Sequence, residues 1–315
     1  MQQEELKRID TDPKVREKLL PLCRLSPGEV WTDPEHGHRI GVLDACSGTI
    51  ADTLMKDNRA ALAVHDPPYN IKVGKSATQA LSQHEVTDYI EFTKKWVRNS
   101  LASMSADAHL YIWLGADVRN HFQPLPEVMV LMREFKELSP RNFITLRNQR
   151  GYGTPKNWMW VRQELLHYTK GTPHFKVTYT DIPKILKGYY KTVGGKRTEN
   201  WERGKSDTIR PGNVWIDIQQ VFYRMKENVP GCYAQKPLKA IERIIKTSSI
   251  KGDSIIDFFS HSGTTLIAGE RLERKVYTID SDPIYAEITR RRLEHYRSTG
   301  NPGWQWHMPF PELAE

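Results

Sequence analysis

No stretch of this 315-residue chain approaches the roughly twenty consecutive apolar residues of a membrane-spanning helix, which argues against a membrane protein. Cysteine is scarce: Cys23, Cys46 and Cys232 are odd in number and scattered, a spacing that excludes a zinc cluster and fits a reducing cytoplasm. The start, Met1-Gln2-Gln3-Glu4-Glu5, lacks the basic-then-apolar order of a signal peptide. Internal repeats and low-complexity linkers are absent as well. What remains is a chain long enough to bury a sizeable core, as one elaborated α/β domain or one domain with a smaller lobe. Its net charge of +8 and pI near 9.2 favour a polyanionic partner.

The most informative residues are Asp66-Pro67-Pro68-Tyr69, which follow the apolar run Ala60-Ala61-Leu62-Ala63-Val64. Two prolines remove two backbone donors and fix φ near −65°, so the turn is stiff and its carbonyls project from the end of a buried strand. The Asp66 carboxylate and the Pro67 carbonyl then suit both hydrogens of an exocyclic amine, while the Tyr69 ring offers a face on which a base can stack. Two acceptors pulling on an adenine amine would localise its delocalised lone pair for attack. Asp66 would serve as a hydrogen-bonding partner more than as a base. The plainer alternative is an ordinary Asp-Pro turn, of which Asp33-Pro34 and Asp282-Pro283 are further examples.

A second element lies near the other end. Asp253-Ser254-Ile255-Ile256-Asp257 reads as a short strand, followed by Phe258-Phe259-Ser260-His261-Ser262-Gly263-Thr264-Thr265 and a helical pattern from Leu266. Such a loop lets a ligand approach backbone at a helix N-terminus. The strand Lys275 to Ile279 ends in Asp280, at roughly the twenty-residue spacing where a carboxylate meets ribose hydroxyls in βαβ nucleotide sites. Neither the Gly-Lys-Ser/Thr ending nor Gly-x-Gly-x-x-Gly is present, so phosphate binding is disfavoured. The alternative is a strand, turn and helix with no ligand, Gly263 and the threonines merely capping the helix.

Together these residues resemble the S-adenosylmethionine-dependent amino-methyltransferases of DNA, specifically the circularly permuted β-type order of adenine-N6 methyltransferases, from about Arg39 to Leu293. The catalytic motif comes first, a DNA-reading segment follows, and the cofactor motif lies last. The resemblance implies a doubly wound, mostly parallel seven-stranded α/β sheet of Rossmann-like type with an inserted DNA-recognition segment. It implies that Asp66, Pro67, Pro68 and Tyr69 are catalytic, and that Asp257, Phe259, Ser260, His261, Ser262, Gly263, Thr264, Thr265 and Asp280 bind the cofactor. Gln235-Lys236-Pro237 looks like the helix start that lies against the methionine part of the cofactor, and Asp44 like the acid that contacts its adenine. The family usually has Gly at His261, Pro at Phe258, and His-Pro-x at Cys232-Tyr233-Ala234, so differences in cofactor geometry are expected there. The expected activity is methyl transfer to the N6 amine of an adenine flipped from duplex DNA, without a metal. Transfer to a cytosine amine or to RNA, and a DNA-binding protein with a decayed cofactor site, are the rivals. A homodimer and a cognate restriction enzyme are companions that the resemblance allows, and the cytoplasm of a prokaryotic or phage-infected cell is the expected location.

Between Gly171 and Gly212, nine Lys or Arg face four acids, with Phe175, Tyr179, Tyr189, Tyr190 and Trp201 interleaved and no helical period. Basic residues fix a protein on phosphates, so the segment is expected to recognise the target through Lys184, Lys187, Lys191, Lys196, Arg197, Arg203 and Lys205. A solvated surface insertion is the alternative. Lys72 and Lys75 fall in a basic loop, residues 70–83, expected to close over the flipped base. Gly151 to Trp158 is expected to wall the base pocket. Strands are predicted at 39–43, 61–65, 109–114, 143–146 and 161–167, with helices about 48–56, 86–104 and 118–136. The implied units are an N-terminal extension of unknown role (1–37), a catalytic half (38–170), the recognition segment (171–212), a cofactor half (213–298) and an aromatic tail (299–315) packed on the body. Asp44, Asp66, Asp257 and Asp280 should all end strands on one side of the sheet.

Overall fold

The computed structural model describes residues 9, 12–69, 86–115, 124–152, 155–156, 158–184, 190–199 and 206–314. Helix α1 (Pro13–Leu19) starts on Asp12, whose carboxylate accepts from the N–H groups of Lys14 and Val15, with Pro13 where its missing N–H is harmless. Strand β1 (Val30–Thr32) pairs antiparallel with β2 (Arg39–Val42). A π-helical turn, Ala51–Met55, stands where the pattern predicts a helix over 48–56. There follow β3 (Ala60–His65), α2 (Val86–Ser103), β4 (Met104–Leu114) and α3 (Pro124–Leu131). Helix α3 and the 3-10 turn that follows it, Met132–Glu134, fall within the predicted 118–136; residues 116–123 lie outside the described part.

Strands β5 (Leu138–Tyr152) and β6 (Trp160–Lys170) form a long antiparallel hairpin. A separate short hairpin joins β7 (Tyr190–Val193) to β8 (Lys196–Glu199). Its turn is Gly194-Gly195, both at positive φ, which suits the twist of a two-residue hairpin loop. The chain returns to the main sheet at β9 (Val214–Trp215) and closes with α4 (Leu238–Ser248), β10 (Ser254–Asp257), α5 (Thr264–Arg271), β11 (Lys275–Asp280) and α6 (Pro283–Thr299).

The main sheet has nine strands in the order β1-β2-β11-β10-β3-β4-β6-β5-β9. Without the two edge strands it is the expected seven-stranded sheet, parallel except for β6. Strands β3 and β10 are neighbours, yet β3 leads to β4 on one side and β10 to β11 on the other. A crevice therefore opens between their carboxyl ends, where α/β sheets bind ligands. Helices cover both faces. Tyr89, Phe92 and Trp96 of α2 and Val128 of α3 pack on one, while Leu238, Ile241 and Ile245 of α4 and Leu266 of α5 pack on the other. Both faces of β3 are thus covered, which explains its unbroken apolar sequence.

The N-terminal segment, of unassigned role from sequence, supplies β1 and straps onto α6. Ile9 and Leu19 pack with Ile284, Ile288 and Phe310, and Arg16 pairs with Asp282, Arg24 with Glu287 and Asp33 with Arg297. Phe310 brings the C-terminal tail into the same cluster, as expected for an aromatic tail. Asp33, His36 and His38 bring ligand atoms within 4.8 Å of one another. Arg297 already donates to both oxygens of Asp33 at 2.8 Å, and both rings contact Glu270, so the group is spent on a guanidinium. Burial raises the Cys23 thiol to about 12, with Glu287 adding to the effect, and burial raises Cys46 to about 11, so neither is an activated nucleophile. Among the described residues no helix is long and apolar enough to cross a membrane.

Candidate active site

Asp66 comes directly after β3, and the rigid prolines turn the chain so that Tyr69 folds back on it. The Tyr69 hydroxyl donates to Asp66 Oδ1 at 2.5 Å. The ring lies against Gly115 just past β4; a Cβ there would stand 3.1 Å from Tyr69 Cδ2, so a side chain would press the ring aside by a few tenths of an ångström. The other oxygen, Oδ2, accepts from Lys236 Nζ at 2.7 Å. Lys236 is brought in by the turn before α4, with 8% of its side chain exposed, and its ammonium stands 5.5 Å from the centroids of both the Tyr69 and Trp113 rings.

A cleft of about 490 Å³ is lined by Asp66, Pro67, Pro68, Tyr69, Lys236, Phe259, His261 and Asp280. A small inner chamber of about 20 Å³ joins Asp66 and Lys236 to Asp257, Ser260, Ser262, Thr264 and Thr265. Thirteen predicted site residues therefore converge on one crevice. Four do not line it. Asp44 is exposed and accepts the Cys46 N–H, although its neighbour Leu43 bonds to the Asp280 carbonyl. Gln235 turns away to accept from Val229 N–H and donate to the Glu227 carbonyl. Pro237 caps α4, and Gly263 caps α5 at φ 74° with the Thr289 Cα 3.0 Å from where a Cβ would sit. Gln235, Pro237 and Gly263 shape the walls through backbone position.

Burial raises the Asp257 carboxyl to about 7, against hydrogen bonds from Thr265 and the Phe259 N–H, with Asp66 adding to the rise. Burial also raises Asp280 to about 7, with Asp282 and Asp257 adding, although it accepts from the N–H groups of Asp282 and His261. Four carboxyls line the crevice, and with only Asp282 paired to Arg16 and Asp66 to Lys236 among the described residues, the set favours a ligand that brings hydroxyl donors and positive charge. His261, where a glycine was the expected residue, takes φ 44°, and Ala234 takes φ 60°; both line the cleft. Each left-handed non-glycine residue stores on the order of 1 to 3 kcal/mol, and such strain gathers at functional sites.

Several site residues carried no sequence signal. His65, the last residue of β3, is fully buried; its Nε2 lies 2.8 Å from Ser100 Oγ and its Nδ1 accepts from the Phe258 N–H. A proline at 258, as in the related pattern, would have no such N–H to give. Arg292 of α6, also fully buried, donates to the Ser262 carbonyl at 2.7 Å and to Thr264 Oγ1 at 3.0 Å, holding the loop before α5 from behind. Arg16 of α1 lines the outer cleft.

The recognition segment is only partly described. Lys196 is exposed at the β8 end of the short hairpin, Lys191 and Arg197 lie on that hairpin, and Lys184 is half-buried. Lys72, Lys75, Lys187, Arg203 and Lys205 lie outside the described residues, as does the 70–83 loop. Trp158, expected to wall the base pocket, is 90% exposed at the end of the β5–β6 hairpin and lines neither cavity.

The model of the N6/N4 DNA methylase family matches residues 60–291, which span every element of the crevice except α1, whose Arg16 lines its outer part. The chain is 45% identical over 261 residues to the type II methyltransferase M2.DpnII of Streptococcus pneumoniae, covering 78% of this chain and 86% of that one. It is 38% identical over 255 residues to the DNA adenine methyltransferase YhdJ of Escherichia coli K12, covering 75% and 81%. The fold is similar to that of M1.HpyAVI, solved with S-adenosylmethionine, at a TM-score of 0.53 and 16% identity over 81% of this chain and 98% of that one.

Proposed function

The chain belongs to the N6/N4 DNA methylase family, and from that premise we infer that it is a DNA methyltransferase that transfers a methyl group from S-adenosylmethionine to the N6 amine of an adenine in duplex DNA. The observation that carries the reading is the crevice itself, where the amine-holding Asp66 and the carboxyls Asp257 and Asp280 line two cavities that share Asp66, Lys236, Phe259 and His261. The residues fit the cofactor. Asp280 and Asp257 retain acceptor capacity for hydroxyls, the turn at Ser262 to Thr264 presents backbone at a helix start, and the acidic surroundings suit a sulfonium. When bound, the cofactor supplies an electrophilic methyl group on sulfur.

The chain's own residues do the rest. Tyr69 offers its ring to the flipped base, and stacking of roughly 1 to 3 kcal/mol offsets much of the few kcal/mol that extrusion costs. Asp66 and the Pro67 carbonyl accept the amine hydrogens and localise the nitrogen lone pair. Beside the methyl donor, the Asp66 side chain and the Pro67 carbonyl would stabilise the positive charge of the methylated amine until its extra proton passes to solvent. Residues 171–212, with the Gly194-Gly195 hairpin, are the segment that meets DNA, supported by their excess of five positive charges. Residues 38–170 and 213–298 then form the catalytic and cofactor halves. A homodimer and a cognate restriction enzyme are compatible with this reading, and the transfer step needs neither. The test is nucleoside mass spectrometry of unmethylated plasmid DNA after incubation with enzyme and S-adenosylmethionine. N6-methyladenine is expected; N4-methylcytosine alone would overturn the assignment of the base.

A further inference from the structure

Both oxygens of Asp66 are engaged before any ligand arrives, Oδ1 by the Tyr69 hydroxyl and Oδ2 by the Lys236 ammonium. Transfer to an amine builds positive charge on its nitrogen. An ammonium bonded to the same carboxylate would oppose that charge at close range. Moving Lys236 off Asp66 would remove that opposition and free Oδ2 for the amine. A nearly buried ammonium does not leave without a new partner, because an unpaired buried charge is costly. Among the described residues the cations lining the cleft are Arg16 and Lys236, and Arg16 is already bonded to Asp282 at 2.6 Å. The cofactor brings a single anionic group, the carboxylate of its amino-acid end.

We propose that Lys236 is a positioning residue that exchanges partners, held by Asp66 in the free enzyme and drawn off by the cofactor carboxylate, so that Asp66 is released for the target amine only after the cofactor is in place. The inference rests on the cofactor reading above and adds an order of events to it. Two sites of one reaction are coupled through one ammonium, and the coupling is reciprocal. Weakening the Asp66 partner must strengthen cofactor binding.

Calorimetric titration with S-adenosylhomocysteine and with 5′-methylthioadenosine, which lacks the amino-acid end, tests this without catalysis. The ratio of the two affinities reports the carboxylate contact. In Lys236→Met the ratio should fall about ten- to a hundredfold, the worth of a charge-assisted hydrogen bond, and Lys236→Arg should recover part of it. Asp66→Asn should raise the ratio several-fold above wild type, a gain that misfolding does not produce. An unchanged ratio in Lys236→Met, or a fall in Arg16→Met instead, overturns the exchange. If wild type binds neither ligand, the cofactor reading fails and the exchange with it. Binding of both ligands with the ratio unmoved by any variant overturns only the exchange.

Discussion

His65 Nδ1 accepts a hydrogen bond from the backbone N–H of Phe258 at 3.1 Å, tying the strand that carries Asp66 to the loop after Asp257 at the point where the sheet changes direction. That acceptor must be unprotonated, and burial keeps it so by pushing the imidazole down to about 3. Phe258→Pro removes the donor and leaves His65 Nδ1 buried without a partner, at a cost of about 1 to 3 kcal/mol. Urea unfolding beside Phe258→Leu, which keeps the N–H, separates this loss from packing. Equal stability of the two variants would show that the bond contributes nothing.

Asp66→Ala removes the acceptor that localises the amine lone pair. Its methyl transfer should fall by about a hundredfold or more, the scale seen when a group that stabilises developing charge is deleted. S-adenosylhomocysteine should bind at least as tightly as to wild type. Single-turnover transfer at the wild-type rate would remove Asp66 from the mechanism.

Asp257 sits 5% exposed, with its carboxyl raised from 3.8 to about 7. Between about pH 4 and 7 the native state keeps a proton that the unfolded chain has lost, so this group lowers stability as pH rises through that window. Asp257→Asn abolishes the titration. Its stability relative to wild type should increase by about 1.4 kcal/mol for each pH unit climbed in that range. Parallel urea midpoints across the window would contradict the raised value. His65 acts in the opposite sense, since the unfolded chain takes up its proton first as pH falls below about 6.5.

Lys196→Ala combined with Arg197→Ala should weaken binding to a fluorescent duplex of any sequence. Each phosphate that the variant no longer neutralises reduces the slope of log affinity against log salt by about 0.9. S-adenosylhomocysteine affinity should stay at the wild-type value. An unchanged salt slope would place the DNA surface elsewhere.

The strand ends were legible because a parallel strand covered on both faces has an unbroken apolar run, and the acids Asp66, Asp257 and Asp280 stand where those runs stop. Tyr69 and Lys236 were legible as members of motifs, but their shared hold on Asp66 was not, since it joins residues 170 positions apart. His65 read as one more strand residue and Arg292 as one more helix charge. Their roles arise only when β10 lies beside β3 and α6 lies behind the loop, and no local pattern encodes either placement. The π-turn at Ala51–Met55 stands where a helix over 48–56 was expected, a departure that no residue pattern announced.

Strands β2 and β3 are successive in the chain, yet two strands made much later, β10 and β11, lie between them, and Leu62 pairs with Ile255. A nascent chain that has produced the whole amine-holding half therefore exposes the open edges of β2 and β3 until the last quarter of the polypeptide leaves the ribosome. Folding of this molecule should be slow and dominated by nonlocal pairing. A prematurely terminated chain would present sticky strand edges and be prone to aggregate instead of acting as a partial enzyme.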